Sequence, residues 1–253
     1  MKKFKLTSEF IVDISGVKLF RIKALIEFGN VKAGDLGGYI EKEENLSHMG
    51  NAWVSGNAQV SGDARVSGNA RVSGDAQVFG DARVSGNAQV SGNARVFGNA
   101  RVFGNAWVSG NARVSGDARV FGNAQVSGDA RVFGNAWVSG NARVSGNAWV
   151  SGDARVSGNA QVFGDARVSG DKDYAYAHGF GSCNRTTTFF RLKDGDVGVR
   201  CGCFYGTLAQ FRDNVCETHG ETKKAQEYLM LADLMELRFE EDENEVGNRK
   251  YVE

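Results

Sequence analysis

The region from Gly50 to Ser169 repeats one six-residue unit, Gly-Asn/Asp-Ala-x-Val-Ser/Phe. Only three positions vary: the second is Asn or Asp, the sixth is Ser or Phe, and x is the fourth. From Val54 to Val168 a valine falls at every sixth residue without a slip, which makes twenty consecutive hexads. Ala and Val share one face of a short strand while x points to the other face. Glycine and Asn/Asp tolerate the positive φ that a tight bend requires. The unit therefore predicts a solenoid filled by Ala and Val, with no ligand cavity inside.

The stretch Val84-Ser85-Gly86-Asn87-Ala88-Gln89 resembles the hexapeptide-repeat family, whose pattern is an aliphatic residue, two or three turn residues and a small residue. The resemblance implies a mainly β fold, a left-handed parallel β-helix with triangular coils of three hexads, often assembled as trimers. Nearly seven coils would make a rod roughly 30 Å long at a strand spacing of about 4.8 Å. A pentapeptide solenoid needs a period of five and is excluded.

Every third x residue should then lie on the same face of the rod. The three faces carry, in turn, Trp53, Arg71, Gln89, Trp107, Gln125, Arg143 and Gln161; Gln59, Gln77, Arg95, Arg113, Arg131, Trp149 and Arg167; and Arg65, Arg83, Arg101, Arg119, Trp137 and Arg155. Six of the seven repeat aspartates are followed by arginine in Asp-Ala-Arg. This pattern favours interleaved surface ion pairs, each worth under about 1 kcal/mol.

The alternative for the arginines and tryptophans is a basic and aromatic groove, because such residues stack on single-stranded bases. Eleven arginines against seven aspartates leave the repeat at +4, which is low for nucleic-acid binding. Nucleic acid is therefore a disfavoured partner.

Phenylalanine replaces the corner serine at six places, and these corners expose apolar area that commonly marks a contact site. Subunit packing in a homotrimer is the leading interpretation; ladder stacking of the rings and contact with a foreign partner are the alternatives. The candidate contact residues on the rod are Phe79, Phe97, Phe103, Phe121, Phe133, Phe163, Trp137 and Trp149.

Acyltransferases of the hexapeptide-repeat family use a histidine on or near a coil as general base and a loop extruded from the coils. A general base must lie within hydrogen-bonding reach of its proton. This repeat has no histidine between His48 and His178 and no inserted residue. The resemblance therefore supports the fold and not the activity along the rod.

Thirty basic and thirty acidic residues cancel, so bulk charge favours neither nucleic acid nor membrane. No apolar run is long enough to span a bilayer, and we expect no secretory leader. The four cysteines, Cys183, Cys201, Cys203 and Cys216, are too few for a disulfide scaffold in a chain of this size. A reducing cytoplasm is the expected compartment; that it is the cytoplasm of a bacterial host cell is implied only by the phage resemblance described below.

Residues 1–49 predict an antiparallel β cap that closes the first coil. Short alternating runs predict strands at Lys3–Leu6, Phe10–Ile14, Val17–Ile22 and Ala24–Phe28, with a hairpin turn at 14–17. His48 is interpreted as a cap residue rather than a catalytic one. VKAGDLGGYIEKEENLS, residues 31–47, resembles the lead-in of bacterial and phage hexapeptide proteins described loosely as transferases.

After the rod, at residues 50–174, we expect a Gly-rich joint at 175–182, an α+β module at 183–239 and an acidic tail at 240–253. Tyr174 is expected to close the end of the tube. We expect a ββαα module. It contains a hairpin at 186–203, a helix that starts at Thr207 with Gln210 as capping partner, and a second helix at about 222–239 with a broad apolar face that includes Leu234. NRTTTFFRLKDG (184–195) and CGCFYGTLAQF (201–211) resemble the C-terminal module of small phage and prophage proteins.

Cys201-Gly202-Cys203, with Cys183, Cys216, His178 and His219 near in sequence, raises the question of a zinc site. Cys-x-Cys on a strand puts both thiols on one face, which permits a site without requiring it. Buried free cysteines are common. We therefore expect ordinary packing, with no metal and no cofactor.

These patterns predict a non-enzymatic phage-type protein, expected to be a homotrimer, in which the rod presents the C-terminal module to a bacterial protein. Inhibition of host defence rests on the phage resemblance alone. The candidate partner-binding residues of the module are Arg185, Thr186, Thr187, Cys203, Phe204, Tyr205 and His219. One alternative is an enzyme or small-nucleotide binder with its site in the module or between subunits. A second is a structural spike of a virion.

Overall fold

The computed structural model describes residues 2–181 and 185–240. The chain begins with strands β1 (Phe4–Val12), β2 (Lys18–Ala24) and β3 (Leu36–Ile40), followed by one 3-10 turn at Glu43–Asn45. β1 pairs with β2 and β2 with β3, both antiparallel, and the hairpin turn holds Gly16 at φ +85°. The predicted antiparallel sheet and its first turn are confirmed.

Two details of the N-terminal prediction are wrong. Most of the runs Lys3–Leu6 and Phe10–Ile14 lies in one strand, β1, which continues between them through a register shift at Leu6–Phe10; Ile14 lies in the turn that follows. The run Ala24–Phe28 is not a strand. Ala24 accepts a hydrogen bond from the Gly34 N–H, so the chain turns back at once towards β3, and Phe28 makes only an isolated bridge with Val31.

Residues 53–168 form twenty two-residue strands, each an x-Val pair of the repeat. They stack in three parallel sheets, and partners in neighbouring coils are eighteen residues apart, as in the pairing of Val90 with Val108. One sheet contains β4 (Trp53–Val54), β7 (Arg71–Val72), β10 (Gln89–Val90), β13 (Trp107–Val108), β16 (Gln125–Val126), β19 (Arg143–Val144) and β22 (Gln161–Val162).

The other two sheets complete each coil. The second contains β5 (Gln59–Val60), β8 (Gln77–Val78), β11 (Arg95–Val96), β14 (Arg113–Val114), β17 (Arg131–Val132), β20 (Trp149–Val150) and β23 (Arg167–Val168), and it continues into β3, β2 and β1. The third contains β6 (Arg65–Val66), β9 (Arg83–Val84), β12 (Arg101–Val102), β15 (Arg119–Val120), β18 (Trp137–Val138) and β21 (Arg155–Val156). The predicted triangular coils and the sorting of x residues onto three faces are confirmed.

The repeat alanines and valines form one continuous core and are 0–1% exposed. Each buried valine contributes roughly 1.5 kcal/mol or more from apolar burial. The corners stay tight because glycine stacks on glycine: Gly104 has φ +72°, and a Cβ there would lie 3.0 Å from the Gly122 nitrogen. Only a residue without a side chain fits both the backbone conformation and this spacing.

The chain after the rod forms four antiparallel strands, β24 (Tyr174–Phe180), β25 (Arg185–Arg191), β26 (Val197–Cys201) and β27 (Phe204–Thr207), in that spatial order. A 3-10 turn at Asp171–Asp173 precedes them, and helices α1 (Leu208–His219) and α2 (Lys223–Phe239) follow. The capping box is confirmed: Thr207 Oγ1 accepts from the Gln210 N–H at 3.3 Å, and Gln210 Oε1 accepts from the Thr207 N–H at 2.9 Å.

The expected Gly-rich joint is wrong for residues 175–180, which belong to β24 and pair with β25. Gly179 lies where the register shifts between His178 and Phe180, so it makes an irregularity within a strand rather than a hinge. Within the part of the module that the structure describes there are therefore four strands and two helices instead of ββαα. Residues 182–184, with Cys183, and the tail beyond Glu240 lie outside the described residues.

The four-stranded sheet is covered on both faces. Phe189 packs with the helices in a second core, whereas the next residue of β25, Phe190, belongs to the core of the rod. Because successive side chains of a strand point to opposite faces, one strand joins the two cores. The second core consists of Phe189, Val199, Leu208, Phe211, Val215, Ala225, Tyr228, Leu231, Ala232, Met235 and Phe239.

Candidate functional site

Tryptophan and arginine stack between coils on two faces of the rod. The Arg119 and Arg155 guanidinium groups lie 5.0 and 5.2 Å from the ring centroid of Trp137. Arg131 and Arg167 lie 4.9 and 4.3 Å from Trp149 in the same way. Since the strands are in register, each tryptophan is held between the arginines of the coils before and after it.

This stacking bears on the predicted base-stacking groove. An aromatic ring binds a base through its face, and arginines of the same chain lie over Trp137 and Trp149. The x-position tryptophan with a more open ring is Trp107, which is 47% exposed and lies between Gln89 and Gln125. Four of the eleven repeat arginines are therefore partners of tryptophan within the rod.

The corner phenylalanines also contact other rings of the same chain. Phe79 stacks on Phe97 with centroids 4.9 Å apart, and Phe103 stacks on Phe121 at 5.0 Å. Phe133 meets Trp149 edge-on at 5.9 Å, and all six corner phenylalanines are half-buried. The structure thus shows the ladder stacking that was one of the three interpretations. Contact with another subunit through these rings stays a prediction.

The three edges of the rod differ in their Asn/Asp choice. The edge that precedes the sheet containing β4 carries asparagine in every coil. Its side chains form a continuous amide ladder with Nδ2–Oδ1 distances of 3.0–3.1 Å, through Asn69, Asn87, Asn105, Asn123, Asn141 and Asn159. Each asparagine donates to the residue of the next coil. An aspartate can accept this bond but cannot pass it on.

The predicted Asp–Arg ion pairs of the repeat are wrong. Across residues 50–169, all of which the structure describes, the salt bridges of repeat aspartates are to Lys42 and Lys193 of the flanking segments. Asp75, Asp117, Asp129 and Asp153 accept amide hydrogen bonds from the asparagine one coil earlier, as Asp117 does from Asn99 at 3.0 Å. The physical reason for these four is that an asparagine of the previous coil lies in register with the carboxylate and donates to it.

The direction of the backbone hydrogen bonds makes the two ends of the rod chemically different. Every ladder N–H donates to a carbonyl of the following coil, as Trp53 does to Ala70 at 3.0 Å. The first coil therefore presents carbonyl oxygens without ladder partners, and the last coil presents N–H groups. Buried groups of this kind need partners.

The N-terminal cap supplies donors to the first coil. Lys3 Nζ donates to the carbonyl oxygens of Ala52 at 2.8 Å and Gly50 at 3.3 Å, and Asn45 Nδ2 donates to Gly62 and Ala64 at 3.0 and 2.9 Å. Backbone N–H groups of β3 bond the third side of the coil. Lys3 is 1% exposed, and burial lowers the pKa of its ammonium group to about 8.

His48 is part of the same cap. Its Nδ1 accepts a hydrogen bond from the Lys3 N–H at 3.1 Å, and its ring stacks on Phe4 with centroids 4.3 Å apart. Nε2 lies 3.7 Å from Glu43 Oε2. These contacts support the interpretation of His48 as a cap residue.

The C-terminal segment supplies acceptors to the last coil. Asp171 Oδ1 accepts from the Arg155 N–H at 2.7 Å, and Thr188 Oγ1 accepts from the Gln161 N–H at 2.9 Å. The third side is bridged by Ala166 and Leu192. Tyr174 is buried in the core of the rod and its hydroxyl donates to the Arg155 carbonyl at 2.5 Å, so its predicted role at the tube end is confirmed.

The predicted partner-binding residues of the module lie in different environments. Arg185, Cys203 and Tyr205 are exposed, Phe204 is half-buried in the module core, and Thr187 is buried with its hydroxyl 3.2 Å from Cys201 Sγ. Tyr205 faces the rod, where it meets Phe163 edge-on at 5.2 Å and covers Gly164.

Two of the remaining candidates contact other residues of the module. Thr186 Oγ1 lies 3.0 Å from His178 Nδ1, and His219 stacks on Tyr228 with centroids 5.9 Å apart. Within residues 185–240, no hydrogen bond or ion pair joins any two of Arg185, Thr186, Thr187, Cys203 and His219. The structure thus does not bring them together through polar contacts.

The Cys-x-Cys prediction is wrong in its geometry. Cys201 ends β26 and pairs with Phe204, so Gly202 and Cys203 form the hairpin turn, with Gly202 at φ +60°. The two thiols therefore do not share a strand face. Among the described residues, no group of three or more His, Cys, Asp or Glu side chains is placed to hold a metal ion. Cys183 is outside these residues.

Exposed large apolar side chains concentrate at the two ends of the molecule. Between residues 50 and 169, all described, Trp107 is the exposed one. The N-terminal segment exposes Phe10, Val12, Ile14, Leu25, Leu36 and Met49, and the segment after the rod exposes Tyr176, Phe180, Tyr205, Met230, Leu234 and Leu237. Sequence reasoning missed most of these residues; their signal is apolar alternation at a hairpin tip and a second apolar row on α2.

A family model described as the YdcK beta solenoid repeat matches the chain within the rod, in the segments 58–74, 64–78, 76–92, 88–100, 94–110, 112–124, 124–140 and 136–152. No curated protein matches the chain. No helix among the described residues has the length and apolar character needed to cross a bilayer. The match and the stacked coils together identify a β-solenoid repeat protein.

Proposed function

We propose that this chain is a non-enzymatic binding protein in which the β-solenoid is a stiff spacer between two contact surfaces. The observation that carries the proposal is the distribution of exposed apolar side chains, which lie at both ends and leave the shaft nearly free of them. Apolar surface that stays exposed commonly marks a contact site. The C-terminal module is the end that presents a surface to a protein partner.

The junction between rod and module supports a rigid spacer. Phe190 inserts into the rod core, Thr188 closes the ladder of the last coil, and Tyr205 packs on Gly164. Because the three side chains are held by the rod core, by the last coil and by a corner glycine, the module has little freedom to turn relative to the rod. The module would therefore keep one orientation relative to the coils.

The use of the polar groups supports binding rather than catalysis. The rod interior is filled by Ala and Val, His48 is engaged in the cap, and no polar contact joins any two of Arg185, Thr186, Thr187, Cys203 and His219 in the module. An enzyme would instead need a base within reach of a reacting proton. The cytoplasm of a bacterial host, a bacterial protein as partner and inhibition of host defence are proposed from the phage resemblance.

The test is capture of partners from a bacterial lysate with three forms of the full chain. I14D changes the exposed hairpin tip, F180D changes the exposed side of β24, and W107S removes the exposed aromatic ring of the shaft. We expect F180D to lose the captured protein and W107S to keep it, because the module carries the surface. Loss with W107S, or turnover of a small molecule by the purified chain, would contradict the proposal.

The capture, a melting measurement with added nucleotides and purification of virus particles together separate the remaining alternatives. A nucleotide binder would show a ligand-dependent rise in melting temperature and would capture no polypeptide. A virion spike would copurify with particles.

A further inference from the structure

Trp107 is the x-position tryptophan whose ring stays open. Arginines stack on Trp137 and Trp149, and Trp53 is only 7% exposed. Among the described residues no cation or aromatic ring lies on Trp107, which is 47% exposed. The negatively polarised face of an aromatic ring attracts the polarised C–H groups of a neighbour. This ring therefore offers a free platform to a ligand.

The surroundings of this ring are polar but uncharged. Gln89 and Gln125 lie in register with Trp107 in the coils before and after it, and neither amide side chain bonds to a described residue. The indole N–H donates to Ser91 Oγ at 3.4 Å. Amides and hydroxyls both donate and accept hydrogen bonds, so they match a ligand rich in hydroxyl groups.

An arginine-lined groove lies around the corner at Ser91, on the next face of the rod. Its volume is 310 Å³, and it is lined by Asn93, Arg95, Asn111, Arg113, Asp129 and Arg131. Arg95 and Arg113 are in register, one coil or about 4.8 Å apart. Neither guanidinium has a partner among the described residues, and like charges placed opposite each other destabilise a sheet. One anionic group between them would remove this repulsion.

The charge of this surface is sparse, which selects the class of ligand. Asp129 lines the same groove and accepts from Asn111 Nδ2 at 2.9 Å, and Arg131 already stacks on Trp149. A nucleic acid carries a charge on every unit and favours a dense basic footprint. A polysaccharide with neutral units between its carboxylates needs only a few cations, and its hydroxyl groups match the amides around Trp107.

We propose that this corner of the rod binds an acidic polysaccharide. One sugar ring lies on the indole of Trp107 with its C–H groups towards the aromatic face, and its hydroxyl groups bond to Gln89 and Gln125. A carboxylate of a nearby unit lies between Arg95 and Arg113, because guanidinium groups form strong hydrogen bonds with carboxylates. This site goes beyond the proposed function and does not depend on it, since it lies on the shaft and leaves both ends free for protein partners.

The experiment is isothermal titration calorimetry of the full chain with defined oligosaccharides. The acidic probes are a hyaluronan hexasaccharide, with a carboxylate on every second unit, and hexagalacturonate, with one on every unit. Chitohexaose is the neutral probe, and we expect it to bind about tenfold more weakly than the hyaluronan hexasaccharide because it lacks the charge-assisted bonds. W107A should weaken binding of all probes that bind about 5- to 10-fold. W149A is the matched control, since arginines cover that ring, and it should bind like wild type.

Arginine variants give a test that loss of folding cannot imitate. R95Q/R113Q should weaken binding of the acidic probes about tenfold and leave binding of chitohexaose unchanged. The matched control is R83Q/R101Q, which removes two arginines that are in register on another face, and it should keep the affinity of wild type. Removing like charges from neighbouring coils does not destabilise the sheet, so the melting temperature of both double variants should be at least that of wild type.

Several results would overturn the proposal. Absence of binding to both acidic hexasaccharides at millimolar concentration means that the corner is not a polysaccharide site. Equal affinities of W107A and wild type would show that the ring is no platform, and equal losses in R95Q/R113Q and R83Q/R101Q would show that charge acts without a defined site. Hexathymidylate that binds more tightly than either hexasaccharide, with a steep salt dependence, would assign the surface to nucleic acid instead.

Discussion

The ammonium nitrogen of Lys3 lies 2.8 Å from the carbonyl oxygen of Ala52 and closes the first coil of the solenoid. This bond follows from the direction of the ladder, in which every N–H points to the next coil and leaves the first carbonyl oxygens without a donor. Lys3 and Asn45 donate at this end, whereas Asp171 and Thr188 accept at the other. A parallel solenoid thus needs opposite chemistry at its two caps.

Replacing Lys3 with methionine should lower the free energy of unfolding by about 1–2 kcal/mol, because the buried carbonyls of Gly50 and Ala52 lose their donor. Methionine keeps the apolar stem, so the change isolates the ammonium group. Urea unfolding of K3M and wild type measures the effect. K5M, which removes an exposed lysine two residues further along the chain, should be close to wild type. A K3M chain more stable than wild type would show that burying the charge costs more than the bonds contribute.

The same lysine predicts a pH dependence of stability. Burial lowers the pKa of Lys3 to about 8 in the folded chain, whereas an unfolded lysine titrates near its ordinary value of about 10.4. Between these values the unfolded chain binds more protons, so the free energy of unfolding rises as the pH increases from about 8 to about 10.5. The difference between wild type and K3M, measured by urea unfolding at pH 7.5, 9 and 10, should grow in favour of wild type. A constant difference would mean that Lys3 titrates normally.

At the other end, replacing Asp171 with alanine removes the acceptor of the Arg155 N–H. Since this bond is exposed, water replaces part of it, and we expect a loss of about 1 kcal/mol. Amide hydrogen exchange should become faster at Arg155 and stay unchanged in the middle of the rod. D171N keeps an oxygen acceptor and should exchange like wild type. Equal exchange in D171A and wild type would contradict a capping role.

The solenoid could be predicted from the sequence because one short rule is repeated without error. The valine period fixes the core, and the eighteen-residue step follows once three hexads make a coil, so even the columns of arginine and tryptophan were sorted correctly. The capping box at Thr207 and Gln210 is local, and it too was predicted.

The remaining features depend on contacts between coils or on backbone conformation at single residues. The Asp-Ala-Arg motif suggests ion pairs within one hexad, yet Asp117 bonds to Asn99 of the previous coil. Gly179 looks like a hinge but lies within a strand, and Gly202 places Cys203 in a turn. No local pattern distinguishes these outcomes, because each depends on which strand lies alongside.

The asparagine ladder predicts an effect of a single-atom change. Asn105 accepts from Asn87 and donates to Asn123. N105D keeps the first bond, loses the second and puts a carboxylate beside the Asn123 oxygen, so the free energy of unfolding should fall by about 0.5–1 kcal/mol. D129N makes the opposite change on another edge and should stabilise the chain by restoring a donor. Equal urea midpoints for N105D and wild type would show that water satisfies these amides equally well.

Deletions in the first coil test whether the spacer sets the relative orientation of the two ends. Removing residues 57–74 takes out one coil and brings Gln77 and Asp81 into the places of Gln59 and Asp63, which contact β3 and Lys42. The rod should shorten by about 4.8 Å with its ends unrotated. Small-angle X-ray scattering checks the length.

Removing residues 57–62 instead deletes one strand of the three in a coil. The N-terminal cap should rotate by about a third of a turn relative to the module, and Asn69 takes the place of Asp63 opposite Lys42, so that ion pair is lost. Both deletions leave the stacked pair Phe79 and Phe97 eighteen residues apart. A partner that contacts both ends should bind the 57–74 deletion and not the 57–62 deletion. If it binds both equally well, the solenoid determines only the separation of the two ends, or the partner touches one end alone.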